Sequence, residues 1–156
     1  MKLQVRAASP TDRSEISRLL DLAVSAGTKL RGGQEALALL PISLTSPEQR
    51  DALIEQGLLA EDHSIALGFI EDSCVGIGWL SLDQQGVRVE LIYVEAEARM
   101  VGLGEEILNY QVALAKSQGK SWIDAVALPG DRSTKSLFER SGLIARQITL
   151  RSSLGE

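Results

Sequence analysis

Hydrophobic and polar residues follow two different periods along this chain, and each change of period separates a predicted strand from a predicted helix. Leu3 and Val5 alternate with polar neighbours, which predicts a first strand. Helical spacing comes next, with Thr11 or Asp12 placed to cap the helix and Gly27 to end it. The apolar positions of this helix are Ile16, Leu19, Leu20, Leu22 and Ala23.

The next segment, 28–45, mixes glycine, proline and apolar residues without a clear period, and we predict a loop with partial helix. Ser46 is then placed as an N-cap with Pro47 in the first helical turn. These residues predict a short helix that ends near Gly57 and turns three residues toward the core: Ala52, Leu53 and Ile54.

Three β-prone runs follow, at 64–70, 74–82 and 87–94. Short polar connections separate them, and such connections favour strands that pair in sequence order. The middle of the chain is therefore predicted to form an antiparallel meander.

Helices and strands alternate in the last third. A helix is predicted from Gly104 to about Gln118, a strand over 121–127, and a second helix capped by Asp131. A final strand is predicted over 143–150, and residues 151–156 read as a frayed tail.

This order of elements predicts one α/β (α+β) domain over residues 1–150. Its sheet should be mixed but mostly antiparallel, with about six to seven strands and helices on both faces. A chain of 156 residues with 44% hydrophobic and 24% charged residues is long enough and apolar enough to bury a core as one domain.

Charge and rare residues narrow the function classes. The net charge of -5 argues against nucleic acid as a partner. It suits a cationic substrate, although solubility alone also explains it. One cysteine, Cys74, and one histidine, His63, cannot form an internal disulfide or a zinc site, so we expect no metal. With no apolar leader or spanning segment, we expect a cytoplasmic protein without a membrane partner.

The most informative stretch is Arg99 to Gly104, where a predicted strand leads through a glycine turn into a helix. The first N–H groups of a helix lack internal partners and carry partial positive charge, so this turn is a candidate phosphate site. A dinucleotide fold would need a third glycine where Ile107 stands, although Asp124 lies at a suitable distance downstream. Gly119-Lys120-Ser121 lacks the earlier glycine of a P-loop.

The stretch resembles the GNAT superfamily of acyl-CoA-dependent N-acyltransferases. Arg99 to Gly104 satisfies the family's motif of Arg or Gln, two residues, Gly, one residue, and Gly or Ala. Val94 stands five residues before the arginine, where the family usually has a valine that ends its fourth strand. The segment from Gly130 to Leu143, with its Phe-Glu-x-x-Gly-Leu ending, is similar to the family's closing block. The resemblance covers residues 63–150.

The resemblance implies acetyl-CoA as a co-substrate. The strand before the turn would pair with pantetheine at a bulge, and the turn would hold the pyrophosphate. These positions are Ile92, Tyr93, Val94, Arg99, Met100, Val101, Gly102, Leu103, Gly104 and Glu105. An ordinary core strand is the alternative for the first three, and both roles are compatible.

Two residues of the closing block depart from the family's pattern. Phe138 stands where many members have a tyrosine that protonates the leaving thiolate. Water, Ser133 or Ser136 would then donate the proton, or the thiolate leaves unprotonated. Asp131 replaces an asparagine, and capping its helix is favoured over contacting pantetheine.

The family's chemistry is direct attack of an amine on the thioester, which needs a base. Glu90 is the candidate, since the even spacing of a strand puts it on one face with Ile92 and Val94. The alternative is a solvent-facing carboxylate paired with Arg88 or another neighbour.

The resemblance implies an N-acetyltransferase for a primary amine of a small molecule or a protein terminus, and we expect the amine to bind between residues 28–58 and the strands near Glu90. A non-catalytic acyl-CoA-binding or partner-binding domain is the competing interpretation, and a homodimer is compatible with either. Among the remaining residues we expect His63 to be exposed at a strand edge and Cys74 to be a small buried hydrophobe. The two tryptophans, Trp79 and Trp122, should line the core or a pocket.

Overall fold

A single sheet organises the computed structural model, which describes residues 1–31, 33 and 47–155. In the described residues the strand order is β1-β2-β3-β4-β5. The first four strands pair antiparallel and β5 pairs parallel to β4. The strands are β1 Leu3–Ala7, β2 His63–Ile70, β3 Ser73–Leu82, β4 Gly86–Val94 and β5 Trp122–Ala125. The mixed, mostly antiparallel sheet and its central meander are thus confirmed.

Four α-helices lie in the described residues: α1 Arg13–Thr28, α2 Pro47–Leu59, α3 Leu103–Ser117 and α4 Arg132–Arg140. Most of the predicted loop over 28–45, and the predicted cap at Ser46, fall outside the described residues. Within the described ranges, no helix has both the length and the apolar character that crossing a membrane requires.

Helices α1 and α2 cover one face of the sheet and form what we call the first core cluster. Its members share almost complete burial: Ile16, Leu19, Leu20, Ile54, Ile65, Leu67, Ile77 and Trp79. Two residues expected in this core, Leu22 and Ala52, are exposed instead. Each lies on the solvent side of a helix whose buried stripe is narrower than the apolar pattern suggested.

Helix α2 ends at Leu59, near Gly57 as predicted, but Gly57 itself lies inside the helix. A Cβ atom at Gly57 would lie 2.5 Å from Cζ2 of Trp79 and 2.8 Å from Cδ1 of Ile65. Real carbon atoms do not approach so closely, so the glycine here permits close packing of the helix on the sheet rather than stopping it.

Helices α3 and α4 cover the opposite face and form the second core cluster. Its buried members are Leu80, Val87, Val89, Leu108, Ala115, Leu137 and Phe138. Helices therefore lie on both faces of the sheet, as predicted. The crossover from β4 through α3 to β5 also explains why these two strands are parallel.

The predicted number of six to seven strands is too high, since five are found in the described residues. The segment 143–150, predicted as the last strand, has no regular structure. Its apolar residues have strand-like spacing, but a strand forms only against a neighbouring edge, and no described strand pairs with it. The predicted strand over 121–127 is also shorter, because only Trp122–Ala125 pair with β4.

Candidate active site

The candidate site lies where β4 and β5 part. The two strands pair from Gly86 opposite Trp122 to Val89 opposite Ala125, where β5 ends. Strand β4 continues to Val94, and no other described strand pairs with it on that side. Its backbone beyond Val89 therefore faces a gap in which an extended ligand can pair as a strand would.

A bulge in β4 marks the point of parting. Trp79 of β3 lies opposite Leu91 and Leu80 lies opposite Val89, so Glu90 is an extra residue in the ladder. The bulge shifts the alternation of side chains by one position. Leu91 then packs against the first core cluster and Ile92 against the second.

The prediction that Glu90, Ile92 and Val94 share one face is consequently wrong. The Glu90 carboxylate contacts Ser81. Ser81 is two residues from Trp79 in β3, so both side chains lie on the face of the sheet that α1 and α2 cover. Ile92 points to the opposite face, into the second core cluster. A strict period of two fails here because the bulge adds one residue to β4.

The Glu90 side chain is only 2% exposed, so the interpretation as a solvent-facing carboxylate is also wrong. Its Oε1 accepts a hydrogen bond from Ser81 Oγ at 2.7 Å and lies 3.6 Å from Nε of Arg88. Its Oε2 is buried and has no hydrogen-bond partner in the part of the chain that the structure describes. A buried carboxylate oxygen without a donor is costly, which makes it a candidate contact for a bound ligand.

A cavity of about 340 Å³ adjoins this carboxylate. Strand residues provide most of its lining: Ser81, Leu82, Asp83, Arg88, Glu90, Trp122 and Asp124. Three of these are carboxylates and one is a cation, a balance that favours a positively charged ligand. Trp122 lines the cavity and Trp79 lies in the core. Both positions agree with the prediction that the tryptophans line the core or a pocket.

The glycine turn lies at the other end of the gap, where β4 leads toward α3. Gly102 caps α3 in a left-handed conformation with φ of 90°, and a Cβ there would have nothing within 4 Å. Met100 is also left-handed, with φ of 72°. The backbone N–H groups of residues 100–105 make no hydrogen bond of ordinary geometry within the described residues. The turn therefore has the free donors and the open space that a phosphate group needs.

Arg99 joins this turn to the end of β4. Its Nε donates a hydrogen bond to the Val94 carbonyl at 2.9 Å, and its guanidinium lies 5.6 Å from the centre of the Tyr93 ring. The side chain is exposed, and its terminal nitrogens make no hydrogen bond within the described ranges. These nitrogens fit the charge of a pyrophosphate.

Asp131 and Phe138, the two residues of the closing block that differ from the family's pattern, lie at the N-cap of α4 and within α4. Asp131 caps the helix, since its Oδ1 accepts from the Thr134 N–H at 3.2 Å and from Ser133 Oγ at 3.3 Å. Phe138 lies in the second core cluster, where its ring offers no proton. The preceding Leu137 packs 3.4 Å from where a Cβ of Gly104 would be, which places α4 beside the turn.

Neither His63 nor Cys74 lines the cavity, although His63 lies opposite Ser81 in the pairing of β2 with β3. His63 is 12% exposed and its Nδ1 accepts a hydrogen bond from Trp79 Nε1 at 3.2 Å, so the expected exposed position is wrong. The buried indole N–H needs an acceptor, which is why the ring turns inward. Burial raises the pKa of the Cys74 thiol to about 11, consistent with a small hydrophobe. The described residues contain no group of three side chains able to hold a metal.

Sequence reasoning missed Ser81 as part of the site. A serine in a predicted strand carries no signal of its own, and only the register between β3 and β4 brings its hydroxyl to Glu90.

No family model and no curated protein matches this sequence. Solved structures do match its fold. A tetramutant of the BH1408 protein of Bacillus halodurans is 16% identical, with a TM-score of 0.80 over 97% of this chain and 99% of that one. The aminoglycoside N-acetyltransferase AAC(6')-Iy, solved in complex with CoA, is 13% identical, with a TM-score of 0.74 over 97% and 95%.

The ribosomal-protein-alanine N-acetyltransferase of Brucella melitensis biovar Abortus 2308 is 14% identical, with a TM-score of 0.69 over 98% of this chain and 100% of that one. Identities this low establish the fold and leave the activity open. The fold that the resemblance to the GNAT superfamily implied is confirmed.

Proposed function

We propose that this chain, which has the GNAT acetyltransferase fold, transfers an acetyl group from acetyl-CoA to a primary amine. One observation carries the proposal: β4 parts from β5 beyond Val89, and at that point a buried carboxylate oxygen of Glu90 has no hydrogen-bond partner among the described residues. An extended thioester in the gap and an amine in the cavity would meet beside this carboxylate.

The turn and the unpaired part of β4 would hold the donor. The free N–H groups of residues 100–105 and the Arg99 guanidinium would bind the pyrophosphate. The backbone of Ile92, Tyr93 and Val94 would pair with pantetheine. When bound, acetyl-CoA supplies the acetyl thioester at the end of this extended arm.

Glu90 would act as the base. Its Oε2 accepts a proton from the substrate ammonium, while Ser81 holds Oε1 and fixes the plane of the carboxylate. The amine nitrogen then forms the C–N bond as the C–S bond breaks and the thiolate leaves, and the second proton of the new amide nitrogen passes to solvent. Phe138 cannot protonate the thiolate, so its proton comes from solvent.

The acceptor would be a small-molecule amine or a peptide amine in the cavity beside Glu90. The carboxylates of the lining favour a cationic molecule over an anionic one. Aminoglycoside and ribosomal-protein-alanine acetyltransferases both occur among the proteins of similar fold, so the fold serves either class of acceptor.

A second candidate is a non-catalytic acyl-CoA-binding domain, which the buried Phe138 favours because the usual proton donor is missing. Thiol release from acetyl-CoA in the presence of a panel of amines separates the two. Turnover on any amine supports the enzyme. CoA binding by calorimetry without turnover on any amine supports the binding domain.

Glu90→Gln tests the base directly, because glutamine keeps the size and can still accept the Ser81 hydrogen bond. We expect turnover to fall about 100-fold with CoA affinity within about twofold of the parent. The exposed Glu97→Gln is the matched control and should change neither quantity. An unchanged rate in Glu90→Gln would remove Glu90 as the base.

A further inference from the structure

Among the described residues, Arg88 is the one cation that lines the cavity beside Glu90. Its side chain is 49% exposed, and its Nε lies 3.6 Å from Oε1 of Glu90. The two terminal nitrogens of its guanidinium make no hydrogen bond within the described ranges. A guanidinium whose terminal nitrogens are unoccupied can bind a carboxylate through two parallel hydrogen bonds.

The opposite charge in the cavity belongs to Glu90. Its Oε1 accepts a hydrogen bond from Ser81, whereas its buried Oε2 has no hydrogen-bond partner in the part of the chain that the structure describes. An unpartnered buried carboxylate oxygen favours a charged donor such as an ammonium group. The cavity therefore presents a negative and a positive group side by side. An α-amino acid carries the complementary pair, an ammonium and a carboxylate, on one carbon atom.

The pairing of β4 with β5 adds a third charge. Asp124 lies opposite Arg88 in the parallel ladder, and residues paired in this way share a face of the sheet. The Asp124 carboxylate lines the cavity, is exposed, and makes no hydrogen bond or ion pair within the described residues. Asp83 also lines the cavity, but its Oδ1 accepts a hydrogen bond from the Gln84 N–H at 2.7 Å. Asp124 is thus better placed than Asp83 to bind a second cation.

We propose that the acceptor is a free α-amino acid with a cationic side chain. Its α-ammonium contacts Oε2 of Glu90, its α-carboxylate binds the Arg88 guanidinium, and its side-chain cation lies beside Asp124. Such a molecule carries one net positive charge, in keeping with the excess of carboxylates in the lining.

This inference rests on the proposed function and narrows its acceptor, because a peptide or protein terminus has no carboxylate on the carbon that carries the amine. The transfer itself is unchanged. The α-amine nitrogen forms the C–N bond as the C–S bond of acetyl-CoA breaks. Glu90 takes one proton of the ammonium, solvent takes a second, and the CoA thiolate takes a proton from solvent.

Arginine and two close analogues test the proposal on the wild-type chain. Argininamide keeps the α-amine and loses the carboxylate charge, whereas citrulline keeps the shape of the side chain and loses its charge. None of the three has a second primary amine, so the acetylated nitrogen is known. With thiol release from acetyl-CoA as the readout, kcat/KM for arginine should exceed that for either analogue at least about tenfold.

Two variants assign the contacts. Arg88→Met should bring the ratio of kcat/KM for arginine to that for argininamide close to one, and Asp124→Asn should do the same for the ratio of arginine to citrulline. Each ratio cancels a loss of rate that both amines share, so it separates recognition of the acceptor from an effect on Glu90. Arg140→Met, which changes an exposed residue of α4 outside the lining, is the control and should change neither ratio.

Equal kcat/KM for arginine and either analogue in the wild type, or ratios that the two variants leave unchanged, would overturn this inference and leave the proposed function standing. Absence of turnover on every amine would instead overturn the proposed function, and this inference with it. Thermal melts followed by circular dichroism verify that every variant is folded.

Discussion

The ion pair between Arg6 and Asp12 gives a stability prediction whose size follows from the structure. Asp12 accepts two hydrogen bonds from the Arg6 guanidinium, at 2.7 and 2.9 Å, and one from the Ser9 N–H at 2.8 Å. The bond from Arg6 is the main cause that lowers the pKa of Asp12 from 3.8 to about 2. These contacts join β1 to the start of α1.

The lowered pKa converts into free energy. Lowering the pKa of Asp12 from 3.8 to about 2 corresponds to an upper limit of about 2 kcal/mol in the free energy of unfolding. The Asp12 side chain is 12% exposed but Arg6 is 41% exposed, so solvent screens the pair. We therefore expect Asp12→Asn to lower the free energy of unfolding by about 1 to 2 kcal/mol at pH 7.

The pH dependence has a definite sign. A carboxyl with a lowered pKa in the folded state stabilises the protein above its unfolded pKa, and this contribution is lost as the pH falls from about 4 to about 2. Urea titrations at several pH values should show a difference in the free energy of unfolding between the wild type and Asp12→Asn. This difference should be largest at pH 7 and should decrease toward pH 2. Asp72→Asn, an exposed carboxylate at the turn between β2 and β3, is the control. If the free energies of unfolding do not differ at pH 7, or if their difference stays constant down to pH 2, the reasoning is refuted.

Two further predictions concern the first core cluster. Gly57→Ala should lower the free energy of unfolding, measured by urea titration, by about 1 kcal/mol. Crowding of Trp79 by the new methyl group costs about 1 to 3 kcal/mol, and the better helix propensity of alanine offsets about 1 kcal/mol of this. A stabilised variant would contradict the close contact between Gly57 and Trp79. Cys74 should react with a disulfide reagent at pH 8 about 100-fold more slowly than a thiol at the ordinary pKa of 9.0, since burial raises its pKa to about 11. Equal rates for the folded chain and the chain unfolded in urea would exclude that burial effect.

The sequence alone determined the features that depend on neighbours along the chain. The meander of β2, β3 and β4 follows from alternating apolar runs and short polar turns. The glycine turn before α3 and the Asp131 cap of α4 follow from residues whose backbone preferences act within one helical turn. These local rules were sufficient to locate the candidate phosphate site and to indicate the fold.

Tertiary structure alone decided the features that depend on residues distant in sequence. The bulge turned Glu90 to the face of Ser81, whereas strict alternation had placed it with Ile92. The ring of Trp79 leaves no room for a Cβ atom at position 57, so a glycine stands inside α2. Strand-like spacing at 143–150 produced no strand among the described residues, because an amphipathic pattern shows which residues can pair but a strand forms only where the backbone hydrogen-bonds to a neighbour. Register and edge availability are properties of the assembled sheet, and no local period encodes them.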